Sequence, residues 1–432
     1  MNAFRKNIVS WLVYDLGNSF FVTAISGLFL GQWLILDNKL DDIWYGAGFS
    51  IATIFVLISS PFLGAWSDRI GKRMPFLKWT TIGLFIFNGL VALVAVSNIP
   101  MSQRVFVVLG LTIIVQCLYQ ISLIFYNSLL KEVSTEENRG KISGLGEGFG
   151  QLGWLFGSVI LLPFANGAIT LIGEPGRHQV FIPAFIISTL LMLPLLFWFR
   201  EQSQKKEQFQ KTDDCQQNSI AKKTIEGIKQ LFNKNKNVGI FLVAFSLISD
   251  IVLTLTLYFA VAMDALYKIN ENTKVFIFAI FLICTTVFGY IFGKFGDRFG
   301  HKLILVISCF ILIVITTIFF FSSSLGILYL VAILAGASGG GYFVLSRSLM
   351  IKISPQNQLG EYFGFYSTFA RVASIFAPLV WGIITLLLRD YLVLKYQVAG
   401  MVMVGFLVIG TLILLKVKEN KEDVLPGKEL AV

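Results

Sequence analysis

Four ionisable residues interrupt long apolar stretches of this 432-residue chain. They are Asp15, Glu147, Asp250 and Arg371. If these stretches cross a membrane, each charge costs about 2.5–3.5 kcal/mol at a helix centre, so it is retained for function or is paired. A carboxyl group held in such a place can bind and release a proton. These four residues are therefore the first candidates for chemistry.

Other polar residues recur at helical spacing around two of these charges. Because residues four apart lie on one face of a helix, the pattern predicts two polar faces. The repeating residues are Ser246, Asp250, Thr254 and Tyr258 in one stretch, and Asp15, Ser19 and Thr23, with Asn18 beside them, in the other. Such faces either line a solute cavity or hydrogen-bond neighbouring helices together, and the spacing leaves both interpretations open.

The composition indicates what must hold these residues in place. The chain is 56% hydrophobic and 14% charged, with a mean hydropathy of +0.75, whereas soluble domains are roughly 25% charged. Stretches long enough to cross a membrane predict twelve helices, numbered helix one to helix twelve in chain order. They cover residues 8–35, 44–64, 75–97, 104–130, 142–166, 179–199, 238–262, 273–293, 303–322, 326–350, 362–388 and 396–415.

Several classes of protein are excluded as the primary interpretation. The four cysteines and two histidines show neither metal-site spacing nor a disulfide framework, so we expect no metal and no cofactor. Glycines 148, 150 and 153 match a dinucleotide fingerprint but lack the preceding strand that it requires. No nucleotide-binding or catalytic motif is present, so we expect a protein that is not an enzyme. We also expect no nucleic-acid partner.

The basic residues predict the orientation of the chain. With the N-terminus inside, 27 of the 35 Lys and Arg fall in cytoplasmic segments and seven fall in outer loops. This bias places both termini in the cytoplasm and explains the net charge of +10 without nucleic acid. The N-terminal apolar stretch is too long for a signal peptide and contains Asp15, so we expect a retained helix. The predicted location is a bacterial cytoplasmic (inner) membrane.

The two halves of the chain repeat each other. The sequence GAWSDRIGKR at 64–73 returns as GKFGDRFGHK at 293–302, each after the second helix of a half. A second match joins 128–144 to 348–364 at a constant offset of 220, and Asp15 corresponds loosely to Asp250. Parallel repeats of six helices are a known transporter layout.

The repeat sets the expected domain boundaries. We predict a six-helix half at 1–199, a cytoplasmic linker at 200–237, a second half at 238–416 and a tail at 417–432. Within the linker, apolar residues among the lysines of 220–232 fit a short interfacial helix. A solvated charged linker is the alternative.

The paired turn motif resembles the major facilitator superfamily over nearly the whole chain. Further motifs resemble its vacuolar amino-acid effluxer-like branch, which is related to autophagy proteins and has bacterial members: Tyr14-Asp15-x-x-Asn18-Ser19, Tyr126-Asn127-Ser128, Arg139-Gly140-x-x-Ser143-Gly144, Ser346-Arg347-Ser348-Leu349 and Glu361-x-Phe363-Gly364. The resemblance implies an all-α transporter of two pseudo-symmetric six-helix halves. For the fungal members it implies export of amino acids. It also implies that helices one, four, seven and ten line a central cavity.

The resemblance and the charges together give the expected site. For binding or coupling we expect Asp15, Asn18, Gln116, Gln120, Asn127, Glu147, Asp250, Thr254, Tyr258, Tyr342, Arg347 and Arg371. For gating at the cytoplasmic side we expect Asp68, Arg69, Arg73, Glu132, Arg139, Asp297 and Arg298. Glycines 336, 339, 340 and 341 in helix ten would open space beside Tyr342.

Some questions stay open at the level of sequence. Glu147 and Arg371 lie at nearly related positions of the two halves, and Glu147 either carries a proton or pairs with Arg371, Arg139 or Lys141. The expected function is secondary transport of a small polar metabolite, with an amino acid first and proton coupling as a hypothesis. The alternatives are efflux of amphipathic cationic drugs and a receptor or scaffold that transports nothing. The expected partners are a small-molecule substrate, protons and the lipid bilayer, with the protein a monomer.

Overall fold

The fold is a set of long helices, seen in a computed structural model. The model describes residues 3–135, 138–201, 232, 235–355 and 358–419, with the backbone alone at 3, 65, 68, 140 and 359–361. Within these ranges every regular element is helical, and twelve helices are long and apolar enough to cross a membrane. The all-α, twelve-helix prediction is confirmed. Except for Phe232, the predicted interfacial helix at 220–232 lies outside the described residues, as does the tail beyond 419.

The first six membrane helices are each close to their predicted positions. Helix one continues past its α-helical part through two π-helical turns, Thr23–Gly27 and Trp33–Asp37. A 3-10 turn, Arg177–Val180, leads into helix six, and a short helix, Leu130–Val133, follows helix four. The α-helical bounds are Ala3–Val22, Asp42–Ile70, Met74–Ala95, Met101–Ser128, Arg139–Ala165 and Phe181–Trp198.

The last six membrane helices include one that is interrupted. Helix eleven is divided into Leu359–Val372 and Phe376–Leu387, with a turn at 373–375. The sequence predicted one continuous helix at 362–388, so the interruption is a difference from the expected fold. The other bounds are Lys236–Tyr267, Glu271–Phe299, His301–Phe321, Leu325–Ile353 and Leu392–Leu415.

The chain forms two compact units. The first unit contains Met1–Ala221 together with Thr256–Val275, and the second contains Lys222–Leu255 together with Phe276–Val432. Within the first unit, helix one packs on helices five and six, and helix four packs on helices two and three. Within the second unit, helix nine packs on helices ten and twelve, and helix eleven packs on helix twelve.

The repeated turn motif makes a tighter link than the sequence suggested. Helix two continues through Gly64 to Ile70, so Asp68 and Arg69 belong to its last turn rather than to a loop. The chain reverses at Gly71, whose φ is +68°, and at the equivalent Gly300, whose φ is +101°. Residues with a Cβ rarely adopt this backbone conformation, so one glycine in each motif is required by the turn.

Glycines allow helix five to pack closely on helix one. A Cβ at Gly153 would lie 2.4 Å from the carbonyl oxygen of Leu16, and one at Gly157 would lie 2.7 Å from Oγ1 of Thr23. Contacts this short exclude any larger residue without movement of helix one. The interpretation of these glycines as small-residue packing, rather than as a nucleotide fingerprint, is confirmed.

A carboxylate clamp appears once in each unit, in the same form. The carboxylate of Glu201 accepts the backbone N–H groups of Arg73 (2.7 Å) and Met74 (3.0 Å), at the start of helix three. In the second unit, Glu419 accepts those of His301 (3.1 Å) and Lys302 (2.8 Å), at the start of helix nine. Each carboxylate satisfies free N–H groups at a positive helix end, so it fixes the turn that precedes the third helix of its half.

An asparagine holds each clamp in position. Asn7 of helix one exchanges two hydrogen bonds with the backbone of Arg200, at 3.0 and 3.1 Å. Asn237 of helix seven makes the same pair with the backbone of Lys418, at 2.8 and 2.7 Å. The first helix of each half is thereby tied to the residue that precedes the clamping glutamate. Comparing the sequences of the two halves did not reveal this repeat, because the asparagine and the glutamate of each clamp lie far apart in the chain.

Replacing either clamping carboxylate with an amide should destabilise its unit. We expect Glu201→Gln and Glu419→Gln each to cost about 1 kcal/mol, because a capping carboxylate contributes about 0.5–2 kcal/mol. The measurement is the midpoint of thermal unfolding of the purified protein. Asp390→Asn is the control, because its side chain is 87% exposed. Equal midpoints for all three variants would contradict a stabilising role for the clamp.

Candidate functional site

Asp15 lies where helix one contacts helix five. A Cβ at Gly150 would lie 3.2 Å from Oδ2 of Asp15 and 3.3 Å from Oγ of Ser19, so the carboxylate rests directly against the backbone of helix five. Asp15 is partly buried, and no ion pair or hydrogen bond to its side chain occurs among the described residues. The first unit therefore holds a carboxylate inside a membrane helix without a cationic partner.

Aromatic residues fix the part of helix one around Asp15. The rings of Trp11 and Tyr126 stack with centroids 4.8 Å apart, and Tyr14 stacks on the other side of Tyr126 at 5.2 Å. Tyr126 Oη donates to the carbonyl of Trp11 and Trp11 Nε1 donates to that of Tyr126, both at 3.2 Å. Tyr14 Oη bonds Thr81 Oγ1 at 2.9 Å. Two of the motifs behind the family resemblance thus meet beside Asp15.

Glu147 lies on the same side of helix five as Gly150, one turn earlier. Its side chain is exposed, and it accepts a hydrogen bond from Gln151 Nε2 at 3.4 Å. It is close enough to Asp15 for the two carboxylates to repel each other. No ion pair joins Glu147 to Arg139 or Lys141 in the part of the chain that the structure describes. Asp15 and Glu147 are thus neighbouring acids, and neither has a basic partner among the described residues.

The predicted amides of helices one and four differ in their surroundings. Asn18 and Gln116 are buried, and their side-chain oxygens have no hydrogen-bond partner in the described structure. Gln120 Nε2 donates to Oγ1 of Thr53 at 3.1 Å, whereas Asn127 is exposed. Asn18 and Gln116 therefore retain free acceptors in the membrane interior of the first unit.

Asp250 lies at the interruption of helix eleven in the second unit. Its Oδ2 accepts the backbone N–H of Ala377 at 2.9 Å, in the first turn of Phe376–Leu387. Pro378 contributes to the interruption, because a proline removes a helical N–H and its ring clashes with the carbonyl four residues earlier. Asp250 thus caps the second part of the helix. Its Oδ1 is buried and has no described partner.

The other expected residues of the second unit differ in their surroundings. Tyr342 is buried, donates to the carbonyl of Phe245 at 3.0 Å and bonds Ser249 Oγ at 2.7 Å. Thr254 is buried with Oγ1 unpartnered among the described atoms, whereas Arg347 is exposed. Gly336 and Gly340 of helix ten pack against the backbone of helix eight, so they serve helix packing.

Arg371 ends the first part of helix eleven. Its carbonyl accepts the N–H of Ser374 at 3.1 Å, which closes the turn at the interruption. Its guanidinium is partly buried and makes no ion pair or hydrogen bond with any described residue. The second unit therefore contains a cation in a membrane helix that nothing described there neutralises.

Tyr258 does not share the surroundings of Asp250, although the spacing placed both on one helical face. It belongs to the first unit, where its hydroxyl donates to the carbonyl of Asp42 at 2.9 Å and its ring contacts Tyr45 edge-on. The hydroxyl of Tyr258 therefore bonds to a backbone carbonyl, and a role of Tyr258 in solute binding stays a prediction.

The expected gating residues lie at or near the ends of helices. Asp297 approaches His301 Nε2 at 3.2 Å, Arg298 stacks over Phe299, and Arg69 is exposed. Arg73, Glu132 and Arg139 are partly buried, and the backbone N–H of Arg73 donates a hydrogen bond to Glu201. The side chain of Asp68 lies outside the described structure. Their gating role stays a prediction.

The sequence did not single out a buried ion-pair cluster in the first unit. We call it the Lys274 cluster; its members are Gln32, Asp37, Arg177, Asp264, Glu271 and Lys274. Lys274 is 1% exposed, and its ammonium donates to Asp264 and Glu271 at 2.6 Å and to Gln32 at 3.2 Å. All three ammonium hydrogens are thus used.

The second base of the cluster joins more distant parts of the chain. Arg177 donates to Glu271 at 2.6 Å and pairs with Asp37, and it lies 3.7 Å from Asp264. These bonds tie Thr256–Val275 to helix one and to the start of helix six, which accounts for the placement of that segment in the first unit. In the sequence, the Lys274 cluster was indicated only by charges in short predicted loops and by one Glu-x-x-Lys pair.

One described cavity does not contain the expected site. It has a volume of about 840 Å³, lies in the first unit and is bordered by Asp37, Arg177 and Glu271 of the Lys274 cluster. None of the residues predicted for solute binding lines it. Within the described ranges no group of His, Cys, Asp or Glu could hold a metal ion.

Comparison with known proteins assigns the family. The family model of the Major Facilitator Superfamily matches residues 16–267 and 240–431, so the chain belongs to that superfamily. It is therefore a multi-pass membrane protein of a family of transporters, and secondary transport is the activity that its relatives support.

Three similar proteins show the range of the family. The chain is 24% identical to YxiO, an uncharacterised MFS-type transporter of Bacillus subtilis (strain 168), covering 97% of this chain and 96% of that protein. It is 24% identical to the multidrug resistance protein MdtG of Escherichia coli (strain K12 / DH10B), covering 89% of each. The D-xylose-proton symporter structure matches with a TM-score of 0.73 and 14% identity, covering 98% and 99%, which shows a shared fold.

Removing the buried ammonium should destabilise the first unit. We expect Lys274→Met to cost on the order of 3 kcal/mol, because breaking a buried ion pair leaves acids without their counter-charge. Lys268→Met is the matched control, because Lys268 is exposed and makes no described ion pair. The measurement is the thermal unfolding midpoint. Indistinguishable midpoints for the two variants would show that the Lys274 cluster contributes little stability.

Proposed function

We propose that this protein is a proton-coupled secondary transporter of a small polar metabolite, with an amino acid as the first candidate. The observation that carries the proposal is the carboxylate of Asp15, held against helix five without a cationic partner. In the symport that we propose, solute and proton bind from one side of the membrane and leave on the other. Asp15 is the residue we assign to the proton.

The neighbouring acid supports this assignment. Asp15 and Glu147 are neighbouring acids, and a proton bound by Asp15 removes the repulsion between them. Carboxylates inside membrane helices often mark proton pathways. The rigid aromatic support from Trp11, Tyr14 and Tyr126 keeps Asp15 in place while its charge changes. Asp250, with its unpartnered Oδ1, is the corresponding candidate in the second half.

The substrate class rests on the resemblance to the vacuolar amino-acid effluxer branch. Its motifs Tyr14-Asp15-x-x-Asn18 and Tyr126-Asn127 lie together beside Asp15 in the first unit. The free oxygens of Asn18 and Gln116 add acceptors that suit a polar solute with N–H groups. An amino acid offers such groups.

The position in the membrane follows from the distribution of basic residues. We propose a monomer in a bacterial cytoplasmic membrane with both termini inside, because 27 of the 35 Lys and Arg then lie in cytoplasmic segments. The cytoplasmic turns that contain Asp68, Arg69, Arg73, Asp297 and Arg298 are the proposed gating elements, together with Glu132 and Arg139.

Proton coupling can be tested by neutralising Asp15. In proteoliposomes, an inward proton gradient should accelerate uptake of the transported amino acid, and Asp15→Asn should reduce this acceleration at least tenfold while solute exchange continues. The measurement is uptake of a radiolabelled amino-acid mixture at two external pH values. Asp390→Asn, at an exposed site, should behave like the native protein. An unchanged response in Asp15→Asn would exclude Asp15 as the coupling residue.

Efflux of amphipathic cations is a second candidate function. The same two acids could bind a cationic drug, and MdtG carries the name of a multidrug resistance protein. Overexpression should then raise resistance of cells to several hydrophobic cations, and Glu147→Gln should lower it. Resistance without amino-acid flux would favour this function, and amino-acid flux without resistance would exclude it.

A further inference from the structure

Arg371 is a membrane-embedded cation without a counter-charge. It is ten residues into the apolar span Tyr362–Leu387, which places it about 14 Å along the helix at 1.5 Å per residue. A bilayer core is about 30 Å thick, so the guanidinium lies near mid-depth. No described residue forms an ion pair, a hydrogen bond or a ring contact with it.

The nearby acid of the same unit is committed elsewhere. Asp250 uses Oδ2 to cap Ala377, on the far side of the interruption, and makes no described ion pair with Arg371. The turn at 373–375 is closed by backbone, with Ser374 donating to the carbonyl of Arg371. The guanidinium is therefore not needed to close the turn or to cap either part of helix eleven.

Another arginine shows how this chain neutralises a structural guanidinium. Arg177 lies near three carboxylates and pairs with them directly. A charged side chain inside a membrane is costly unless it is paired, so an unpaired arginine at mid-depth indicates a partner that comes from outside the chain. At the position 220 residues earlier, the first half has Gln151, so the charge is particular to the second half.

We propose that Arg371 binds the oxyanion group of the transported solute, a carboxylate or a phosphate. The planar guanidinium presents paired N–H groups that match two oxygens of either group, and no other solute chemistry uses this geometry as fully. The inference rests on the proposed transport function and narrows its substrate to organic acids. An amino acid meets this requirement, whereas a hydrophobic cation without an acid group does not.

The first test needs no ligand. In the unliganded protein, Arg371→Gln should unfold at the same temperature as the native protein or at a higher one, because the guanidinium has no internal partner. Arg389→Gln is the control at an exposed arginine. A clear fall in the unfolding temperature for Arg371→Gln alone would reveal a structural partner and overturn the proposal.

The second test compares acids with analogues that lack the acid group. Thermal stabilisation of the full chain is measured with L-leucine and L-leucinamide, succinate and succinamide, and glycerol 3-phosphate and glycerol. Only an acid of a pair should stabilise the native protein. For that acid, half-maximal stabilisation should need at least tenfold higher concentration in Arg371→Gln, with a smaller increase in Arg371→Lys. The pair that responds distinguishes a carboxylate from a phosphate.

Three results would overturn the proposal. The first is stabilisation by the analogues that lack the acid group, the second is an unchanged response of Arg371→Gln, and the third is no stabilisation by any acid. Each differs from failure of proton coupling, which is measured by the response of Asp15→Asn to a proton gradient. A protein that couples solute to protons but binds only neutral or cationic solutes would keep the proposed function and refute the role of Arg371.

Discussion

A charge inside a membrane helix is costly unless it is paired or neutralised, and this constraint shapes the buried ion pairs of the protein. Lys274 is surrounded by three acceptors, and Arg177 lies among three carboxylates. Against this background, Asp15 and Arg371 stand out because no described residue neutralises either of them. A chain that pairs its structural charges so thoroughly retains unpaired charges where a proton or a solute is to be bound.

The two halves share local devices rather than identical side chains. Each uses one left-handed glycine in its turn and a glutamate that caps the third helix of the half. An asparagine holds each clamp through paired backbone hydrogen bonds. The membrane interiors differ, because the first half has Gln151 where the second has Arg371. Repetition therefore preserves the turns and their clamps, whereas the paired positions 151 and 371 differ in charge.

Periodic apolar stretches and a strong bias of basic residues allowed the twelve helices to be predicted from sequence. The close packing at Gly153 could also be predicted from sequence, because it follows from the spacing of glycines within one helix. The interruption of helix eleven was missed, because proline alone does not break a helix: Pro61 lies inside helix two, which continues past it. The break at Pro378 also involves Asp250, and the Lys274 cluster joins residues of helices one, seven and eight with the 3-10 turn before helix six. Such long-range partners carry no local signal.

The central claim is that solute and protons move together through a carboxylate on helix one. The most direct measurement is the pH inside proteoliposomes, followed with an entrapped dye as solute is added outside without an imposed gradient. With the native protein, we expect solute entry to change the internal pH in a fixed ratio to the amount of solute that enters. Solute entry at the native rate with no change in internal pH would contradict it.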